Sequence, residues 1–354
     1  MTTAAPKGHR RFLTLDALRG MGAITVMVSH TGMLLGGYCP PSANFVVDMF
    51  YVLSGFVLAR SYDEKFLKGM SVLAFAKARI SRLYSTFLIG LVLGLISLPF
   101  FNPHALSVAQ GATSFLFGVF VLPSPPMGPL GALFPLNGPF WSLFFELWVA
   151  NLLFAVFWRH LRGKLLWVVI LSSALMLLLL GAHLGTLDFG WTWRQFPGGF
   201  ARVCYSFFVG VALSRFHLSR RHASAVPSLV FLLIFAIIML VPVNGPLRGP
   251  YELVIVLFAF PALIYFGADA VESRPEMGKA LGNVSYTIYA IHRPLIAILA
   301  WPLGTFPFAA SQHSYALGVE AVIVSIIGVL AWGISRLLSA RRATKVSRNA
   351  QVPA

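Results

Sequence analysis

The sequence has few charged residues, few acidic ones in particular, and almost no cysteine. Only 11% of its 354 residues are charged, with 11 Asp and Glu against 27 Lys and Arg, whereas 58% are hydrophobic. Soluble domains carry about 25% charged residues on average, so this composition excludes one and indicates an all-α polytopic membrane protein. The two cysteines, Cys39 and Cys204, exclude a disulfide framework and a thiolate metal site, and no metal is expected.

The basic residues lie between long apolar runs rather than in one patch. About ten segments have the length of a membrane span. If the N-terminus is cytoplasmic, the outer loops hold only Arg194 and Arg248, as the positive-inside rule requires. The pattern predicts a plasma (bacterial inner) membrane protein with both termini inside and, despite a net charge of +16, no nucleic-acid partner. The segments run approximately 12–35, 44–62, 80–101, 140–160, 164–182, 199–216, 226–243, 250–268, 283–303 and 314–338.

A shorter apolar run, about 109–122, precedes a stretch rich in proline and glycine. Counting it as an eleventh span would put one terminus on the wrong side, so we expect a re-entrant or interfacial segment in a long outer loop. The sequence predicts one integral-membrane domain over 1–340 and a basic, disordered cytoplasmic tail over 341–354.

The first span carries three ionisable residues on one face. At about 100° per residue, Arg19 and His30 project about 20° apart, with Asp16 within about 60° of both. The rise from Arg19 to His30 is about 16 Å, so an arginine at the membrane surface and a deeper imidazole are predicted to face one cavity. Ionisable groups in hydrocarbon are costly and indicate function. Simple pairing of Asp16 with Arg19 is the alternative for those two residues.

Two carboxylates lie in other predicted spans, where an unpaired charge is costly. Asp48 is near the outer end of the second span and could orient His30, because a carboxylate fixes the tautomer of an imidazole. Capping the helix is the alternative. Glu146 stands alone in the fourth span, with Ser142 one turn earlier, and needs a partner or a titrating role. A structural pair with an Arg or His is the alternative.

Arg79 and Arg82 are three positions apart at the cytoplasmic end of the third span and therefore share a helical face. Guanidinium groups bind phosphate well, and Lys77 adds a third positive charge nearby. The pair is a candidate phosphate site, and ordinary positive-inside anchoring is the alternative.

The ninth span, GNVSYTIYAIHRPL, places His292 near the middle of the membrane. Ser285 shares its face, and Tyr289 lies about 40° away. We expect either a substrate contact by His292 or a histidine that packs with a satisfied hydrogen bond.

Five motifs in order resemble acyltransferase family 3: LDALRG with His30, DMFYVLSGF, Arg79-x-x-Arg82, WSLFFE and SYTIYAIHRP. The resemblance implies about ten core helices and transfer of an acyl group, usually acetyl, from cytoplasmic acyl-CoA. The usual acceptor is a hydroxyl of a glycan or other molecule at the membrane. The expected form is the stand-alone one, without an appended SGNH esterase-like domain.

The resemblance also gives roles to residues. His30 is expected to be the general base, with Glu146 and Asp48 as the other catalytic residues. Arg79, Arg82 and Arg19 are expected to bind acyl-CoA, and the expected substrate-binding residues are Trp141, Ser142, Tyr289 and His292. The lipid bilayer is a further partner, and the sequence leaves a homo-oligomer open. Two alternatives are an exporter or flippase of a lipid-linked sugar or small molecule, which would use the polar cluster as a relay, and a non-catalytic partner subunit.

Overall fold

The computed structural model describes residues 11–101, 106–128, 130–217, 226–303 and 313–350. These residues contain helices and two isolated β-bridges but no β-strand. The α-helices are α1 (Leu13–Leu35), α2 (Val46–Leu67), α3 (Val72–Phe101), α4 (Val108–Val119), α5 (Phe140–Phe144), α6 (Asn151–Val156), α7 (Lys164–Leu184), α8 (Phe196–Phe216), α9 (Ser228–Leu240), α10 (Arg248–Val254), α11 (Phe260–Gly267), α12 (Pro275–Ala300) and α13 (His313–Ala350). Two π-helical segments, Phe145–Ala150 and Ile255–Ala259, join α5 to α6 and α10 to α11.

The helical membrane-protein character is as predicted. In the described residues, 6 helices are long and apolar enough to cross a membrane: Ala43–Leu67, Val72–Phe100, Lys164–Leu184, Trp193–Phe216, Gly245–Gly267 and Tyr315–Arg341. Helices α1 and α12 have the length, about 34 and 39 Å at 1.5 Å per residue, but they carry more polar residues and are not among the six. The count of ten spans and the cytoplasmic termini stay predictions.

Two further predicted segments are the short apolar run in the outer loop and the C-terminal tail. The run 109–122 forms α4, whose 12 residues extend about 18 Å, less than the hydrocarbon thickness of about 30 Å. A capping box of Ser107 and Gln110 begins this helix, and its interfacial or re-entrant position stays a prediction. Helix α13 continues to Ala350, and the disordered cytoplasmic tail over 341–354 stays a prediction. Residues 351–354 lie outside the described residues.

Close helix crossings hold the bundle together. Helix α1 packs along α12, and α2 packs along α8. At the second crossing, a Cβ atom on Gly55 would collide with the carbonyl of Phe207, and one on Gly210 would collide with the carbonyl of Val52. Small residues allow such close approach in membranes, where water does not drive helices together. These crossings bring the polar residues of α1, α2, α3 and α12 to one end of the bundle.

Candidate active site

A large polar cavity of about 1660 Å³ lies at one end of the bundle. Its walls carry seven arginines and two lysines against four carboxylates, so its potential is positive and suits a polyanionic ligand. Apart from Arg19, these cations belong to segments that the positive-inside pattern assigns to the cytoplasm. The basic residues are Arg11, Arg19, Arg60, Lys65, Lys68, Arg79, Arg82, Arg162 and Arg215, and the acidic ones are Asp16, Asp63, Glu64 and Glu146.

Arg19 is fixed between α1 and α12. Its Nη2 lies 2.9 Å from Asp16 Oδ1 and donates to the carbonyl of Gly282 at 2.8 Å, while its Nε donates to Ser285 Oγ at 2.9 Å. Arg11 Nε also pairs with Asp16, at 2.5 Å. The predicted Asp16–Arg19 pair is therefore present, and these contacts hold the Arg19 guanidinium in the cavity wall without burying it completely.

Glu146 lies at the start of the π-helical segment and faces α2 and α3. Its Oε1 accepts hydrogen bonds from Arg79 Nη2 at 2.9 Å and from Ser54 Oγ at 2.6 Å. Arg79 is nearly buried, whereas Arg82, one turn further on, is exposed and lines the same cavity. The two arginines therefore have different surroundings: Arg79 is nearly buried and ion-paired with Glu146, whereas Arg82 is an exposed residue of the cavity wall.

A hydrogen-bonded pair from two helices lies in the wall of this cavity. Tyr289 Oη donates to the carbonyl of Pro139, its oxygen lies 2.6 Å from Ser142 Oγ, and Ser142 Oγ lies 3.4 Å from the same carbonyl. Both residues line the cavity. Beyond Tyr289 lies His292, with ring centroids 6.2 Å apart.

His30 and His292 form a direct pair. His30 Nδ1 lies 2.8 Å from His292 Nε2, and the rings stack with centroids 5.0 Å apart. His292 Nδ1 lies 3.0 Å from the carbonyl of Ile288 and 2.9 Å from that of Tyr289. His292 is fully buried, whereas His30 is partly exposed. The expectation was that Arg19 and His30 line one cavity; Arg19 lines this one, whereas His30 is not among its lining residues and contacts His292 instead.

A match to a protein family covers nearly all of the helices described above. A family model described as "Acyltransferase domain" matches residues 12–335. The chain belongs to acyltransferase family 3. Membership supports acyl transfer in general and the membrane character of the enzyme.

One curated relative of this acyltransferase is "Protein 2 in picA locus" from Rhizobium radiobacter. It is 36% identical over 187 residues, which cover 49% of this chain and 96% of the relative. No solved structure matches the chain.

Asp48 was predicted to lie beside His30 and orient it, but in this acyltransferase it lies elsewhere. Asp48 pairs with Arg202, whose Nη2 lies 2.6 Å from Asp48 Oδ2, and both side chains are almost completely buried. Arg202 also donates to the carbonyls of Phe189 and Asn44. Asp48 needs a countercharge in this apolar setting, and Arg202 provides it, so no contact with the imidazole is required.

The predicted site residues therefore divide into two groups. The cavity of the acyltransferase brings together Arg19, Arg79, Arg82, Ser142, Glu146 and Tyr289. His30, Asp48, Trp141 and His292 are not among the residues that line it. Trp141 is buried with Arg202 over its ring at 5.3 Å, and its role in substrate binding stays a prediction. Among the described residues, no group of three or more His, Cys, Asp or Glu could hold a metal ion.

Sequence reasoning missed two residues of this arrangement. Ser54 gave no signal beyond being a polar residue in an apolar span. Arg202 gave a stronger signal, because it lies well inside the predicted span 199–216, whereas Arg215 lies at its end, and an arginine at that depth needs an acidic partner.

Proposed function

We propose that this acyltransferase transfers an acyl group, most simply acetyl, from cytoplasmic acyl-CoA to a hydroxyl of a carbohydrate acceptor at the membrane. The observation that carries the proposal is the basic cavity, whose lining includes Tyr289, three residues before His292 of the His292–His30 pair. A coenzyme with several phosphates and a long flexible arm matches such a shape and charge. The proposal places the enzyme in the inner membrane, with both termini and the cavity mouth on the cytoplasmic side.

The hydrogen bonds of the histidine pair support His30 as the general base. Carbonyl oxygens only accept, so His292 Nδ1 carries the proton and the Nε2 of neutral His292 is an acceptor. His30 Nδ1 therefore donates to it, which leaves the lone pair of neutral His30 on Nε2. In this proposal His292 has the positioning role that the sequence suggested for Asp48.

The proposed reaction has one proton to account for. The acceptor hydroxyl loses its proton to His30 Nε2 as its oxygen attacks the thioester carbonyl carbon. The C–S bond then breaks, and His30 returns the proton to the leaving thiolate, which gives the ester and free coenzyme A. The thioester arrives from the cavity past Ser142 and Tyr289, and the acceptor approaches from the partly exposed side of His30.

Glu146 and the arginines have different roles in this proposal. Arg82 and Arg19 line the cavity and bind the phosphates of the donor. Arg79 also lines the cavity, but its pair with Glu146 makes it chiefly a residue that fixes the wall next to the donor arm. Glu146 keeps this arginine in place and contacts the donor side of the site.

We expect Arg82→Ala to weaken binding of acetyl-CoA by about tenfold or more, because a hydrogen bond to a charged group contributes about 1.5–3 kcal/mol. Calorimetric titration of coenzyme A into the protein in lipid nanodiscs measures the effect. Lys77→Ala is the matched control, because Lys77 carries the same charge on the same helix but does not line the cavity. Equal weakening in both variants would mean that only the overall charge matters, and unchanged affinity for Arg82→Ala would remove this arginine from the donor site.

Release of free thiol tests the function itself. Membranes that contain the enzyme should release coenzyme A thiol from acetyl-CoA when a carbohydrate acceptor is added, with one ester formed for each thiol. A transporter that uses the same polar residues would move its substrate without consuming acetyl-CoA. Mass spectrometry of surface glycans from cells with and without the protein identifies the acceptor by the mass of the acyl group. Acceptor-dependent substrate movement with no thiol release would overturn the proposal.

A further inference from the structure

A second, smaller cavity lies on the side of the bundle. We call it the lateral pocket; its volume is about 280 Å³, near the lower end of the range for small-molecule sites. It lies between α3, the end of α4 and the segment of the π-helix and α6. Its lining is mostly apolar, with Val72, Phe75, Ala76, Ile80 and Leu152 among its residues.

The mouth of the lateral pocket is formed by exposed apolar side chains. Val72, Ile80, Phe120, Trp148 and Leu152 all line it, and each has more than a third of its surface exposed on a helix or helix end with apolar surroundings. Large apolar side chains exposed on a membrane bundle contact acyl chains. The pocket is therefore accessible from the bilayer, whereas the large polar cavity is lined by charged residues.

Two of the polar side chains that line the lateral pocket, Asn151 and Arg79, have unsatisfied atoms. Asn151 is 3% exposed, and neither its Nδ2 nor its Oδ1 has a hydrogen-bond partner among the described residues. Arg79 Nε is buried without a partner as well, although its Nη2 pairs with Glu146. Buried amide and guanidinium groups normally have hydrogen-bond partners, so we expect a bound molecule to supply the partners of these atoms. Asn151 directly follows the π-helical turn, and its N–H bonds to the carbonyl of Glu146 five residues earlier.

We propose that the lateral pocket binds one anionic phospholipid whose head group also carries a hydroxyl, such as phosphatidylglycerol. The hydrocarbon chain lies on the apolar lining at the lipid-facing mouth. A phosphate oxygen accepts from Arg79 Nε and Asn151 Nδ2, and the head-group hydroxyl donates to Asn151 Oδ1. Together these contacts satisfy the three unpartnered atoms.

Charge complementarity selects this occupant over a neutral lipid. Arg79 lies about 10 Å along α3 from its first residue, Val72, at the end where Lys77 and Arg82 also lie. Basic pockets between helices on the cytoplasmic side recognise anionic head groups. Arg79 lines both cavities, so a lipid bound here would contact the opposite side of the guanidinium from the donor cavity.

Lipid binding by defined variants tests the proposal without any measurement of activity. The full-length protein is delipidated in detergent, titrated with phosphatidylglycerol or phosphatidylcholine, and examined by native mass spectrometry. The native protein should retain one phosphatidylglycerol and bind phosphatidylcholine at least about tenfold more weakly. Ala76→Phe, which fills the pocket, should abolish retention, and Asn151→Leu should lower affinity by about fivefold or more.

The matched control is Ala74→Phe, because Ala74 is exposed on the same helix two positions away and does not line the pocket. It should bind phosphatidylglycerol as the native protein does. Brominated phosphatidylglycerol provides a second measurement: it should quench native fluorescence more than it quenches Trp148→Phe, because Trp148 lines the pocket. Equal retention of both lipids, unchanged retention in Ala76→Phe and Asn151→Leu, or selective retention of an added polyprenyl phosphate would each overturn the proposal.

Discussion

Replacing His30 with alanine should lower acyl transfer by two to four orders of magnitude, about the range that a general base contributes. The physical reason is that the hydrogen bonds of His292 leave the lone pair of His30 on Nε2, where it can accept the proton of the acceptor hydroxyl. Initial rates of thiol release at saturating acetyl-CoA and acceptor measure the loss. The affinity for coenzyme A should stay the same, because His30 does not line the donor cavity.

The controls for this prediction separate catalysis from folding. His183→Ala removes an exposed histidine from α7 and should leave the rate unchanged. His292→Ala should lower kcat by less than His30→Ala and should change the pH dependence of the rate, because it removes the acceptor that fixes the His30 tautomer. A near-normal rate for His30→Ala in correctly folded protein would exclude His30 as the base.

The sequence was sufficient to predict most of the helices and several residues of the cavity wall, because both depend on local patterns. Apolar runs of spanning length overlap the observed helices, although α3 and α12 each begin eight residues earlier than predicted and α13 ends later. The expense of charge in hydrocarbon identified Arg19 and Glu146. Arg79 and Arg82 followed from a three-residue spacing. Spacing cannot tell that one of them pairs with Glu146 while the other is exposed, since that difference depends on how α3 meets the π-helical segment.

The partner of His30 could not be predicted in the same way. Asp48 lies in the neighbouring span and was therefore the carboxylate predicted to orient His30. His292 lies 262 residues after His30 in the chain. Helix pairing between distant segments decided the outcome: α1 packs along α12, which brings His292 to His30, and α2 packs along α8, which brings Arg202 to Asp48. No periodicity within one helix contains that information.

Replacing Arg202 with methionine should destabilise the protein by about 3–5 kcal/mol, because it leaves the Asp48 carboxylate buried without a countercharge. Five hydrogen bonds of Arg202, three to Asp48 and one each to the carbonyls of Phe189 and Asn44, are lost at the same time. The effect should appear as a large decrease in the apparent Tm in detergent. Arg194→Met is the matched control, because Arg194 is exposed just before α8 and its loss should change stability by no more than about 0.5 kcal/mol.

A double variant decides whether Asp48 has any role beyond this pair. Asp48→Leu combined with Arg202→Met removes both charges, and replacement of a buried ion pair by apolar residues is often neutral. We expect the double variant to recover most of the stability that Arg202→Met loses and to retain acyl transfer, because Asp48 contacts Arg202 rather than His30. If stability returns and acyl transfer does not, Asp48 takes part in the reaction and the division between the His30–His292 pair and the Asp48–Arg202 pair is wrong. If Arg202→Met alone leaves the Tm unchanged, the buried pair does not hold α2 to α8.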